Sequence, residues 1–143
     1  MDYTETYEFL KYEKTYQIRE SYLDTLGHVN NASYIQLFEE ARWDLVEEGG
    51  YGLSTVMKEK VSPVILELDC KFSREVLNRE HVNIQTQVTF YKGKIGNIHQ
   101  KLFKESGDLA CEANFKFGMF DLKTRKLVAP SEKWLNAIGR KKS

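Results

Sequence analysis

The chain has 143 residues, 41% hydrophobic and 29% charged, with 21 basic against 21 acidic residues and a formal net charge of zero. That suffices for one domain with a real core and falls short of two ordinary ones. Balanced charge gives no electrostatic basis for binding nucleic acid or an anionic membrane, and no apolar run approaches the roughly 20 residues of a membrane span.

Residues 1–10 read as an N-terminal extension, with the domain proper at 11–143. The start, MDYTETYEFLKYEK, is acidic and aromatic and lacks the apolar region of a signal peptide, so a cytoplasmic location is expected. From about Tyr12 to Tyr22 the aromatic and β-branched content predicts a first strand. A polar stretch, LDTLGHVNN, follows at 23–31. From Asn31 to about Glu48, Tyr34, Leu37, Phe38, Ala41 and Leu45 recur at steps of three and four, which predicts an amphipathic helix. The pair Gly49-Gly50 ends it. A linker runs through Pro63, and the period then changes to two. In VILELDCKF, Leu66, Leu68, Cys70 and Phe72 alternate with charged residues; HVNIQTQVTFY repeats the pattern with Val82, Ile84, Val88 and Phe90. Turns at Lys92-Gly93-Lys94 and Ser106-Gly107-Asp108 set off two more strands, the last with Cys111, Ala113, Phe115, Phe117 and Met119 on one face. Residues 131–139 read as a short terminal helix. The order of elements predicts an α+β domain, an antiparallel sheet wrapped around one central helix.

Cys70 and Cys111 both fall in predicted strands and read as buried thiols. No set of Cys, His, Asp and Glu has metal-ligand spacing, so neither a metal nor another cofactor is expected.

The chemistry gathers ahead of the helix. Asp24 lies too early to cap it, and read singly it is a turn former or a surface salt-bridge partner. His28 alone is an ordinary packed or exposed histidine, and Asn30 and Asn31 are good N-caps. Together they suggest more. A helix N-terminus offers unpaired N–H groups and a partial positive charge, which suit a carbonyl oxygen becoming anionic. A carboxylate beside it would face the carbonyl carbon. With no Ser-His or Cys-His pair, such a site suits a good leaving group such as a thiolate.

The run L-D-x-x-x-H-V-N-N-x-x-Y-x-x-x-x-E-E-A-R-W, Leu23 to Trp43, resembles the signature of hotdog-fold acyl thioesterases. It is most similar to the long-chain acyl-CoA thioesterase III branch of the 4-hydroxybenzoyl-CoA thioesterase family. The resemblance implies a curved sheet around the helix, and a homodimer or tetramer with sites at the interface. It implies an acyl-CoA, of fatty type, as substrate. Asp24 matches the catalytic acid, as general base or as nucleophile. Asn31 matches the backbone N–H that polarises the thioester, and His28 and Asn30 would orient the loop or the water. Tyr34 and Phe38 would wall the acyl chain. Arg74 and Lys71, with Lys58 and Lys60, are candidates for the CoA phosphates, although FSREV has Ser73 and Glu75 where relatives have an Arg and a Pro. Leu26 stands where plant acyl-carrier-protein thioesterases have a catalytic Asn, which favours an Asp-centred mechanism. An acyl-carrier-protein thioesterase and a non-catalytic acyl-CoA sensor are the alternatives.

Overall fold

The computed structural model describes residues 7–141. Strand β1 (Tyr12–Gln17) leads through a 3-10 turn (Glu20–Tyr22) to helix α1 (Asn31–Glu48) and a short helix α2 (Leu53–Glu59). Strands β2 (Val61–Phe72), β3 (His81–Lys92), β4 (Ile95–Phe103), β5 (Leu109–Asp121) and β6 (Lys126–Val128) follow, and helix α3 (Glu132–Ala137) closes the order. Every pairing is antiparallel, in the order β1-β3-β4-β5-β2, with β6 beside the end of β5. The sheet wraps α1, as the pattern of elements predicts.

α1 forms because its apolar residues share one side and its start is capped. Asn30 is extended (φ −66, ψ 145), and its Oδ1 accepts the N–H of Ala32 at 2.9 Å. Tyr34, Leu37, Phe38, Ala41 and Leu45 are all buried against the sheet. Gly50 takes φ +91 just beyond the last turn, a conformation open to glycine without strain. The flank facing β1 is acidic at four-residue steps, and each acid meets a tyrosine. Tyr22 Oη donates to Glu40 at 2.6 Å, Tyr16 Oη to Asp44 at 2.5 Å, and Tyr12 Oη to Glu48. Burial, and then the bond to Glu40, pushes the Tyr22 phenol up to about 12; the same causes raise Tyr12 and Tyr16 further.

On β5, Cys111, Ala113, Phe115, Phe117 and Met119 all face the core. Truncating Phe38 or Phe115, each wholly buried, to alanine costs about 3–5 kcal/mol. Cys111 is buried and Cys70 only half-buried; their sulfurs lie 3.3 Å apart as free thiols. Burial pushes both thiols up.

Four expectations are corrected. The first strand ends at Gln17 rather than Tyr22, and the linker holds α2. A bulge between Ile65 and Glu67 drops Leu66 out of the alternation, so Ile65 opposes Phe117 and Leu66 is exposed. A second bulge, between Val88 and Phe90, turns Phe90 outward and puts Tyr91 in the core. Apart from these four, Phe9 is buried and Leu10 N–H bonds Gly139 O at 2.8 Å; residues 1–6 lie outside the described residues. No helix among the described residues is long and apolar enough to cross a membrane.

Candidate active site

The stretch from Leu23 to Asn30 is a tight loop closed by its own hydrogen bonds. Leu23 and Val29 form an antiparallel bridge, and Asp24 N–H bonds His28 O at 2.8 Å. Asp24 Oδ1 accepts two backbone donors, Leu26 N–H at 2.9 Å and His28 N–H at 3.2 Å. This is the turn-forming behaviour expected of a loop aspartate, and it also fixes the carboxylate. Oδ2 has no partner among the described residues. The loop is tied outward as well. Val29 N–H bonds Val76 O at 3.0 Å, Asn30 N–H bonds Tyr22 O at 2.9 Å, and His28 pairs with Leu77.

In the first turn of α1, Ala32 N–H goes to the Asn30 side chain, and Ser33 and Tyr34 N–H to Asn30 O. The N–H of Asn31 finds no partner among the described residues. Asn31 lines a cavity of about 310 Å³ together with Asp24, His28 and Tyr34. Phe72, at the end of β2, and Ser73, Arg74 and Glu75, in the β2–β3 connection, line it as well. The Tyr34 ring lies 5.5 Å from that of Phe72, and its hydroxyl donates to Arg74 O at 3.2 Å.

Five residues singled out in the sequence thus converge: Asp24, His28, Asn31, Tyr34 and Arg74. Asn30 contributes from behind, as the cap. Phe38 does not reach the cavity, because it is wholly buried against Phe115. Lys71 sits between Cys70 and Phe72 on β2, opposite Glu112, and so lies on the other face of the sheet. Glu75, which the sequence does not mark as a candidate, also lines the cavity, and its Oε2 lies 3.2 Å from His28 Nε2. The bridge between His28 and Leu77, 49 positions apart in the chain, and the bond from Val29 N–H to Val76 O bring the two together, and no local pattern announces them.

The profile of the thioesterase-like superfamily matches residues 18–138. The chain belongs to that superfamily. It is 30% identical over 114 residues to the long-chain acyl-CoA thioesterase FadM of Escherichia coli (strain K12), over 79% of this chain and 86% of the relative. The probable thioesterase YbaW from Escherichia coli has a TM-score of 0.76 and 27% identity, over 87% of this chain and 94% of that one. A Staphylococcus aureus protein solved in complex with CoA has a TM-score of 0.84 at 18% identity, over 92% and 83%, a likeness of fold alone. The fold is the hotdog fold, and the chain is a thioester hydrolase.

In this thioesterase α1 packs against β3 and α3 and leaves β2, at the sheet edge, largely uncovered. Pro63, Ile65, Leu68, Cys70 and Phe72 oppose Met119, Phe117, Phe115, Ala113 and Cys111, so all share the helix-facing side. Ile65, Leu68 and Phe72 remain 40%, 50% and 47% exposed. This apolar row runs from the candidate site along the length of α1.

Proposed function

We propose that the chain hydrolyses acyl-CoA thioesters at the cavity before α1. The observation that carries this reading is one juxtaposition. A carboxylate with one free oxygen, Asp24, and an unpartnered N–H, Asn31, line the same cavity at the head of an apolar row.

The thioester carbonyl oxygen accepts the Asn31 N–H, and the α1 dipole adds to the stabilisation as that oxygen becomes anionic. Two routes follow. In one, Asp24 takes a proton from water as the water oxygen attacks the carbonyl carbon. In the other, Asp24 Oδ2 attacks, and water then cleaves the mixed anhydride. On either route the C–S bond breaks, CoA leaves as thiolate and takes up a proton, and the acid is released. His28, held by Glu75, borders the water. Arg74 meets the CoA phosphates at the mouth, as a fixed guanidinium suits phosphate oxygens. A fatty acyl chain lies along the row from Phe72 toward Pro63. A second copy covers the open β2 edge and its exposed apolar side chains, giving a two-fold dimer or a dimer of dimers.

Hydrolysis of acyl-CoAs of graded length, with one acyl-carrier-protein thioester, tests this reading. Thiol release from the CoA series is expected, with a length optimum. Folded protein that cleaves only the carrier-protein thioester, or none, would overturn it.

A further inference from the structure

A second cavity, of about 240 Å³, lies between the later turns of α1 and the start of β2, walled by Val46, Pro63, Ile65, Ile98 and Phe117. Two charged residues of α1, Arg42 and Glu39 one turn before it, line this largely apolar space. Arg42 lays its guanidinium 4.2 Å above the Phe115 ring and donates from Nη1 to Gln100 Oε1 at 3.0 Å. Gln100 is wholly buried, and its amide is oriented by its own donors: Nε2 bonds Phe38 O and Thr86 Oγ1, each at 3.0 Å. Glu39 acts on Arg42 electrostatically, but no salt bridge joins Arg42 to a carboxylate among the described residues. Burial lowers its pKa to about 10, which leaves it charged at neutral pH. A guanidinium carries five N–H donors, and only the bond from Nη1 to Gln100 occupies one among the described residues.

The neighbours of the guanidinium give its approximate place along the row from the candidate site. Phe115 beneath it opposes Leu68, four residues from Phe72 on β2; that is about 13 Å along the strand. Gln100 beside it bonds Phe38, seven residues from Asn31, or about 10 Å along the helix. A zigzag chain advances about 1.25 Å per C–C bond, given bonds near 1.5 Å. An acyl chain lying along the row therefore reaches Arg42 after about eight to ten bonds.

We propose that Arg42 recognises a carboxylate at the far end of the acyl group, so that the preferred thioesters are those of α,ω-dicarboxylic acids about ten carbons long. This rests on the thioesterase reading above. Nothing in the catalytic step changes; the distal carboxylate takes the free donors of Arg42 and displaces water from the cavity.

The test is kcat/KM for matched pairs, ω-carboxyacyl-CoA against plain acyl-CoA, at six and ten carbons. At ten, the carboxylated chain is expected to be favoured about ten- to a hundredfold, the worth of hydrogen bonds to a charged group. At six, too short to reach, no such preference is expected. Arg42→Met keeps an apolar stem over Phe115 and should abolish the ten-carbon preference while sparing the six-carbon rates. Several results would overturn the proposal. One is wild-type enzyme with no preference at ten carbons; another is Arg42→Met retaining it. A third is a uniform fall in all four rates with a lower Tm, the mark of a merely structural arginine. A fourth is Arg42→Met and Glu39→Gln both dissociating the oligomer with the substrate ratio unmoved, the mark of a counter-ion from a second copy. Thiol release without discrimination sinks this inference alone, whereas no thiol release from any CoA ester sinks the thioesterase reading with it.

Discussion

Replacing Asp24 separates its two roles, because one oxygen holds the loop and the other has no partner among the described residues. In Asp24→Asn the amide oxygen still accepts from Leu26 and His28, now as a neutral acceptor. The loss in stability is below about 1 kcal/mol. For 143 residues, with an unfolding entropy of about 2.1 cal/mol/K each, that is within about 3 °C of the wild-type Tm. Asp24→Ala loses both acceptors, at about 1 kcal/mol each, so its Tm falls by roughly 6 °C. Activity orders differently. Both variants lose the carboxylate, so both should lose about 10²- to 10⁴-fold in kcat. Acyl-CoA affinity should hold in Asp24→Asn or tighten. Calorimetry gives the two melting temperatures, and chromatographic quantitation of the released acid gives kcat without interference from the chain's own thiols. Wild-type kcat in well-folded Asp24→Asn would end the catalytic assignment, and with it the case for Asn31 as oxyanion donor. Equal melting temperatures for the two variants would show that the loop does not depend on Oδ1.

Sedimentation should find a dimer or tetramer at micromolar concentration, and Leu68→Asp on the open β2 row should dissociate it; a stable wild-type monomer would rule out an interfacial site. Stability should be level below the ordinary phenol value of 10.0 and fall as pH rises toward about 12, since the folded chain keeps the Tyr22, Tyr16 and Tyr12 protons that the unfolded chain releases. Replacing all three by Phe should flatten part of that decline in denaturant midpoints, and an unchanged slope would count against the tyrosine–carboxylate pairs. Exhaustive chelation should leave turnover intact, because thiolate leaves without a Lewis acid; loss restored by one divalent ion would contradict this.

What could be read in advance follows the range of the forces involved. The α1 stripe, its Asn30 cap and the inward row of β5 depend on neighbours three, four or two positions away, and each is where the pattern puts it. Bulges defeat that reasoning, because one added residue reverses every later side chain. Leu66 and Phe90 leave the helix-facing row for that reason, with Ile65 and Tyr91 standing in it instead. Helix α2 was hidden in LSTVMKE, seven residues, too short for a periodicity to declare itself. At the site, Asp24, His28 and Asn31 are adjacent in the chain and legible there. Glu75 and Phe72 arrive through the pairing of distant segments, and Lys71 faces away because strand alternation assigns it to the other side.

The strand order carries a consequence for how the molecule acquires its activity. β3, β4 and β5 are joined by short turns and pair in succession, whereas β1 joins β3 through Tyr12 and Thr86. Ends far apart in the chain meet at a higher entropic cost than the ends of a hairpin, and such contacts are slow to form. The meander is therefore expected to be protected first in refolding, with β1, the Asp24 loop and the start of α1 fastened onto it afterwards. Pulse-labelled amide exchange would read this as earlier protection of Ile98 than of Val29. A nascent chain would then hold a formed sheet before it holds a competent site, and hydrolysis would report completion of the last closure.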